Sequence, residues 1–378
     1  MSHIPLAKNR VVQKRWLFLP LAVVVFALLA MAALTIRNWL LLVWPGMPRL
    51  LYWPVYVVLP LSIGISYLIP RSTLSRILHG VGETYLGFFI YLNTTVIALQ
   101  IGHLILWLTG TTFGRRGHLI AGFIVLAVTA GVYIYGVVNA FFLRETHYEF
   151  TVEKPRERDV RIALISDLHF GFTTGRRMMR RIARKVNRLD ADLVLIAGDL
   201  FDEAYTNLRH KERVAEDLRS LRSRHGVYAC IGNHDLLSKD PRKDEFCRRA
   251  GVTILRDEAV QADGIWVAGR LDATLRDRLT AEELLRDRQG PVVVLDHQPD
   301  DIRSLAEGGA DLILCGHTHA GQTFPGNYMV HFMHELSYGC RQYGKAHAVV
   351  TSGAGFWGPP LRVLSFNEVV CIDLKFNG

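Results

Sequence analysis

Four long apolar stretches fill the first 150 residues, and short apolar runs alternate with amphipathic ones over the rest. Trp16–Ile36, Leu50–Ile69, Thr84–Leu108 and His118–Leu143 carry no charged residue. Roughly 20 apolar residues span a bilayer as a helix. The pattern therefore predicts a transmembrane region over residues 1–150 with four helical spans, 16–36, 50–69, 84–108 and 118–143. Only Arg37 interrupts the first stretch before Trp44, so that helix can run on. Its apolar run also exceeds the roughly 7–15 residues of a cleavable signal segment. Asn93, Gln100 and His103 are the polar positions of the third span, and Glu83 lies at its start. An intramembrane ionisable group can mark a transport pathway, but a single histidine and a terminal glutamate fit an anchor better.

After a polar linker, Glu145–Asp159 with Pro155 in its middle, the period changes. Strands are expected at Val160–Ser166, Asp192–Ala197, Val227–Ile231, Ile265–Ala268, Val292–Leu295, Asp311–Cys315, Ala348–Thr351 and Val369–Leu374. Helices fit Arg176–Leu189, Leu208–Arg222, Lys243–Ala250, Thr280–Arg288 and Asp301–Glu307. Such alternation implies βαβ units, with helices on both faces of a largely buried sheet. In the first helix Met178, Met179, Ile182, Ala183, Val186 and Leu189 share one face. Arg176, Arg177, Arg180, Arg181, Arg184, Lys185 and Arg188 share the other. That basic face is either plainly solvated or in contact with anionic headgroups.

Charge sharpens the division. The chain of 378 residues has 44 Lys+Arg, 35 Asp+Glu and a net charge of +9. Residues 1–150 hold 11 Lys/Arg and 3 Asp/Glu, so nearly all of the excess lies in the membrane half. The near-neutral second half argues against a nucleic-acid partner. Basic residues flanking short loops stay on the cytoplasmic side. Lys8, Arg10, Lys14, Arg15, Arg71, Arg76, Arg144, Lys154, Arg156, Arg158 and Arg161 fall on one side of the four spans; Arg37, Arg49, Arg115 and Arg116 fall on the other. A multi-pass membrane protein is expected, with its second half in the cytoplasm. Five cysteines, Cys230, Cys247, Cys315, Cys340 and Cys371, fit a reducing compartment.

Chemistry collects where the expected strands end, as ligands do in open α/β sheets. The clusters are Asp167-Leu168-His169, Gly198-Asp199, Gly232-Asn233-His234-Asp235, Asp296-His297-Gln298-Pro299 and Gly316-His317-Thr318-His319. Residues two apart in an extended segment point the same way and can reach one ion. Oxygen plus imidazole donors suit Mn, Fe or Zn. Gly198, Gly232 and Gly316 each precede the first polar residue of a cluster, where glycine permits a tight turn and close backbone approach.

In that order SDLHFG, AGDLFD, IGNHD, LDHQP and CGHTHAGQ resemble the calcineurin-like metallophosphoesterase superfamily, over about residues 158–378. GHTHAGQ and SGAGFWGPPLRVLSFNEV resemble its membrane-associated bacterial branch, which includes phosphodiesterases that cleave UDP-diacylglucosamine. The resemblance implies an α/β sandwich with mixed sheets and outer helices over residues 151–378, and a centre of two divalent metal ions. It implies Asp167, His169, Asp199 and His319 as ligands of the first metal. Asp199 would bridge to the second, completed by Asn233, His297 and His317. His234 matches the histidine beside the substrate, and Asp235 is placed to orient it. Ala320 and Asn367 depart from the branch's usual glycine and proline.

Two cations roughly 3.5–4 Å apart can activate a shared water and neutralise a phosphoryl group, with His234 as donor to the leaving oxygen. The expectation is hydrolysis of a phosphodiester or pyrophosphate by a metal-activated hydroxide. Membrane lipids are the expected partner and a phosphate-containing, lipid-linked molecule the expected substrate. Arg270 and Arg362 are candidates to pair with the phosphate. His210, His225, His331, His334 and His347 read as surface or packing groups, and Cys315 as a core residue. Rival classes are a transporter or sensor whose second half is regulatory, and a nuclease. The Lys/Arg bias yields a first test. A reporter fused after Gly378 should be active only where its activity requires the cytoplasm, and activity of an export-dependent reporter there refutes the orientation.

Overall fold

The computed structural model describes the backbone of residues 10–69 and 72–377 and the side chains of 23–48, 50–69 and 72–377. Lys8 and Arg71 of the charge count lie outside the described residues. Four helices are long and apolar enough to cross a membrane by length and composition. They are α1 (Arg10–Val43), α2 (Arg49–Leu68), α3 (Thr73–Leu108) and α4 (Arg115–Ala140). Arg37 does not stop α1, because one long side chain can carry its charge along an apolar surface to water. Helix α3 begins eleven residues before the expected span. Ser72 and Ser75 cap that start reciprocally, each side-chain oxygen accepting the other's backbone N–H at 3.2 and 3.0 Å. Helix α4 ends three residues early, since Leu143 already belongs to a strand.

The chain forms two compact units: residues up to Leu68 with Val81–Tyr133, and Ile69–Gly80 with Ile134–Gly378. The boundary falls inside α4 rather than near residue 150. In the first unit a small inner cluster gathers Ala33, Tyr52 and Tyr56, while most apolar side chains face outward. Several of its polar groups pair with one another. Tyr56 Oη donates to Asn93 Oδ1 at 2.5 Å and Gln100 Nε2 donates to Thr35 Oγ1 at 2.9 Å.

The second unit holds twelve strands and seven further helices among its described residues. In chain order these are β1 (Leu143–Val152), β2 (Val160–Ile165), α5 (Arg176–Val186), β3 (Leu193–Ile196), α6 (Lys211–Arg219), β4 (Val227–Ala229), α7 (Asn233–Leu236), α8 (Arg242–Arg249), β5 (Val252–Ile254), β6 (Glu258–Ala262), β7 (Ile265–Gly269), α9 (Ala281–Leu285), β8 (Val292–Leu295), α10 (Ile302–Glu307), β9 (Leu312–Cys315), α11 (Gly326–Met333), β10 (Gly339–Tyr343), β11 (Ala346–Val350) and β12 (Asn367–Phe376). Two six-stranded sheets result, in the orders β1-β12-β2-β3-β4-β5 and β10-β11-β9-β8-β7-β6. Both are mixed: β12 runs antiparallel to β2 and β6 antiparallel to β7, while β2-β3-β4-β5 and β7-β8-β9-β11 are parallel.

Period-two alternation builds the layers. Ile162, Leu164, Leu193 and Leu195 of one sheet share a core with Val293, Leu295, Leu312 and Leu314 of the other. The intervening Ala163, Ile165, Val194 and Ile196 face the apolar side of α5, with Met179, Ile182 and Val186. Val292, Val294, Ile313 and Cys315 likewise face α9 and α10. This is an α/β sandwich with its helices outside.

The expected linker is corrected. Leu143–Val152 is an edge strand paired in parallel with β12, from Leu143 opposite Asn367 to Val152 opposite Phe376. Tyr148, Phe150 and Val152 recur at every second position there, but Glu145, His147 and Glu149 between them made the segment read as polar. Strands β5, β6 and β10 and helices α7 and α11 also escaped the sequence reading, being short or at sheet edges. Leu164 lies fully buried between the sheets, so Leu164→Ala should cost about 2–5 kcal/mol. A denaturation midpoint of the solubilised protein unchanged from the parent would refute the inter-sheet core.

Candidate metal centre

Five strands deliver the site from their carboxyl ends. Beyond β2 come Asp167 and His169, beyond β3 Asp199, beyond β4 Asn233 and His234, beyond β8 His297, and beyond β9 His317 and His319. Side chains of one strand end alone could not enclose an ion; parallel pairing sets the ends of β2, β3 and β4 side by side in one sheet and those of β8 and β9 in the other. Asp167, His169, Asp199, His297 and His319 are all buried. His169 Nε2 stands 3.0 Å from His319 Nε2, 3.7 Å from Asp167 Oδ1 and 3.8 Å from Asp199 Oδ2. His319 Nε2 is 3.4 Å from Asp167 Oδ1. On the other side of Asp199, His297 Nε2 lies 3.1 Å from its Oδ2. The ring of His297 packs 5.2 Å from that of His317, whose Nδ1 is 2.9 Å from Asn233 Oδ1. Asp199 thus stands between two donor groups.

The backbone is bent to this end. Asp167, His169, Asp199, His317 and His319 all have positive φ, between 45° and 71°. Left-handed backbone at a non-glycine residue costs on the order of 1 kcal/mol or more and clusters at functional sites. The glycines of the motifs serve close packing as well as turning. A Cβ on Gly232 would overlap the Asp199 carboxylate, and one on Gly316 would overlap Ser166 Oγ and Asp167 Oδ2.

Tautomers follow from the acceptors. Ala197 O can only accept, so His297 Nδ1 donates to it at 2.7 Å and a neutral ring turns a bare Nε2 toward Asp199. His234 Nδ1 donates to Asp202 O, also at 2.7 Å. Electrostatics report the same crowding. Burial alone would raise the Asp199 carboxyl, but His297 and His169 hold it down to about 2. Burial alone would lower His297, yet Asp199 lifts it to about 10; His169 rises to about 10 against burial because of Asp167 and Asp202. Three groups of donors lie within 4.8 Å of one another: Asp167-His169-His319, His169-Asp199-His234 and Asp167-Asp199-His297. His169 Nδ1 and His297 Nε2 have no hydrogen-bond partner of sound geometry. Carboxylates interleaved with bare ring nitrogens fit cations of the oxygen-and-imidazole class.

Three sequence expectations change here. Asp235 does not orient His234: its carboxylate accepts the backbone N–H groups of Leu200, Phe201 and Gly232 at 3.3, 2.9 and 3.1 Å. Asp202 has that position instead, with Oδ1 3.3 Å from His234 Nδ1 and 3.5 Å from His169 Nδ1. It sits in the AGDLFD motif, three residues after Asp199. Arg270 is buried against Asp296 and Asp301 at 2.9 and 3.1 Å. Arg362 is fully buried and donates to the carbonyls of His319, Ser352 and Gly355, each at 2.7 Å. Neither guanidinium is free to take a phosphate. His334, read as peripheral, stands at the rim with its ring 6.1 Å from that of His317 and Nδ1 2.9 Å from Asp300.

Residues 160–321 match the family model of the calcineurin-like phosphoesterases. An uncharacterized metallophosphoesterase of Aquifex aeolicus is 30% identical over 67% of this chain and 99% of its own length. A transmembrane protein with metallophosphoesterase domain from Danio rerio is 33% identical over 67% of this chain and 62% of its own. A UDP-2,3-diacylglucosamine pyrophosphatase, LpxG, of Chlamydia trachomatis is 25% identical over 43% of this chain and 64% of its own. This chain belongs to the calcineurin-like metallophosphoesterase family. It spans about three fifths of the length of the Danio relative and of those in Helicobacter pylori.

Gly316→Ala removes no donor atom but forces Ser166 and Asp167 aside, an overpacking of roughly 1–3 kcal/mol. Metal analysis of the purified variant should show loss of bound Mn, Fe or Zn while thermal unfolding remains cooperative. Full metal content would refute the packing role.

Proposed function

We propose that this chain is a dinuclear metal-dependent phosphoesterase that cleaves a phosphodiester or pyrophosphate bond in a membrane-associated, lipid-linked substrate. The observation that carries the reading is the convergence of five strand ends on a largely buried set of carboxylate and imidazole donors, with the half-buried amide of Asn233 beside them. Asp167, His169 and His319 would hold one cation, and Asn233, His297 and His317 another, with Asp199 shared. Mn, Fe or Zn suits these donors. When bound, such a pair supplies an activated water and neutralises charge on the phosphoryl group.

The chain's own residues supply the rest. His234, fixed through Nδ1 by Asp202 O, presents its other nitrogen as the donor to the leaving oxygen. Asn233 adds an oxygen without a negative charge that would repel the substrate. Asp202 orients His234 through its backbone carbonyl, and its carboxylate lies 3.3 Å from His234 Nδ1 and 3.5 Å from His169 Nδ1, close enough to favour the charged form of both rings. Four helices apolar enough to cross a membrane, and a relative named for a diacylated sugar-nucleotide substrate, support a lipid-linked ester. The Lys/Arg bias supports a catalytic unit on the cytoplasmic face of the cell membrane.

With Mn added, the purified chain should hydrolyse an aryl phosphodiester and lose that activity to a chelator. Asp199→Ala should abolish turnover, and His234→Ala should lower it by roughly 10²–10⁴-fold, the usual size of general acid–base catalysis. Full activity in both variants would overturn the proposal.

A further inference from the structure

We infer that α11, together with Trp357 and Leu364, forms an apolar platform that inserts into the bilayer surface and opens the metal centre toward the leaflet. Helix α11 has no buried side chain at all. Tyr328, Met329, Phe332 and Met333 recur at helical spacing on one stripe, with Phe332 84% and Met333 70% exposed. Trp357 and Leu364 are exposed as well. No Asp, Glu, Lys or Arg occurs between Asp311 and Glu335. Contiguous exposed apolar surface of this kind marks an interaction site.

Hydrogen bonds identify the occupant by tying the platform to the last turn of α4. Arg362 N donates to Gly136 O at 2.9 Å, and Asn139 Nδ2 donates to the carbonyls of Arg362 and Ser365 at 3.0 and 2.7 Å. A Cβ on Gly136 would collide with the side chains of Leu361 and Val363, so the 361–365 loop lies flush on the helix. The same loop holds the start of α11: Val363 N and Ser365 Oγ both donate to Gln322 O, and Asn327 Nδ2 donates to Ala320 O and Leu364 O. Gly136 is four residues from the end of α4, about 6 Å along its axis. A platform anchored at that level is at the depth of an interfacial helix, which sits roughly 5–10 Å into the headgroup and acyl boundary.

Charge agrees. Arg181 of α5 donates to Phe141 O at 2.9 Å, directly after α4. Arg177, Arg180 and Arg184 on the same helix, and Arg188 just after it, are exposed, and none is within 4.0 Å of a carboxylate among the described residues. A basic helix bonded directly after α4 complements anionic headgroups. Trp357 stands 5.8 Å from the ring of His234 and bonds Gln322 through its backbone N–H and carbonyl, so the platform is continuous with the proton donor. A phosphoester at headgroup level would reach the centre without leaving the bilayer surface.

The inference rests on α4 being a span and not on hydrolysis, so its test needs no turnover. Phe332→Cys and, separately, Met333→Cys, each in a Cys340→Ser background, carry a nitroxide label in the full chain reconstituted into phosphatidylethanolamine and phosphatidylglycerol vesicles. Relaxation by oxygen should exceed relaxation by a water-soluble nickel complex at both positions. Greater access for nickel overturns the inference, and so does low access for both reagents. In the second case spin–spin broadening identifies a second copy of the chain as the true occupant.

Discussion

Carboxylate oxygens and bare imidazole nitrogens meet at one end of the sandwich with few hydrogen-bond donors between them, and the surrounding structure is organised by that conflict. Two buried carboxylates, Asp167 and Asp199, share the space with four ring systems. Charge buried without a partner is costly enough that proteins neutralise it. Here the neutral state can be reached by protonating His169 and His297 or by taking up cations. The strained backbone at five positions and the glycines without room for a methyl group make sense only if the donor geometry itself is what has to be kept.

The second constraint is a single buried guanidinium. Arg362 has no exposure, and burial lowers its pKa to about 10. Three carbonyls offset that cost, one of them from His319. Its backbone meanwhile bonds Gly136 and Asn139 of α4. Asn367, which departs from the family's usual proline, donates through its side chain to Ala140 O at 2.5 Å. The last turn of α4 and the loop of His319 are therefore tied to the same residue. An isolated fragment starting at residue 150 would lose most of β1 as well as this turn.

Much of this was legible in advance because the signals are strong and local. Uncharged runs longer than a bilayer's thickness admit few readings, and β-branched runs ending in Asp, Asn or His announce both strand and site. The polar clusters at the strand ends were legible from the sequence, and the resemblance to the family named seven of their residues as a set; the fold brings Asp167, His169, Asp199, His297 and His319 together. Roles that depend on direction were not. Asp235 adjoins His234 in sequence, yet its carboxylate turns to three backbone N–H groups while Asp202, farther away, takes the orienting position. Arg270 and Arg362 were candidates to pair with a phosphate, and both are buried against partners of the fold.

The sequence by itself determined what is set by composition and period: four apolar spans, a charge-balanced second half, alternating strands and helices, and the chemical identity of the donors. Only the tertiary structure decided which donors face one another, that Leu143–Val152 is a strand, that Arg362 serves the fold, and that α11 is left bare beside the end of α4. The reason is physical. Hydrophobic period is a property of neighbours along the chain, whereas the direction of a side chain and the cover over a helix are set by residues hundreds of positions away, such as Asn139 and Arg362.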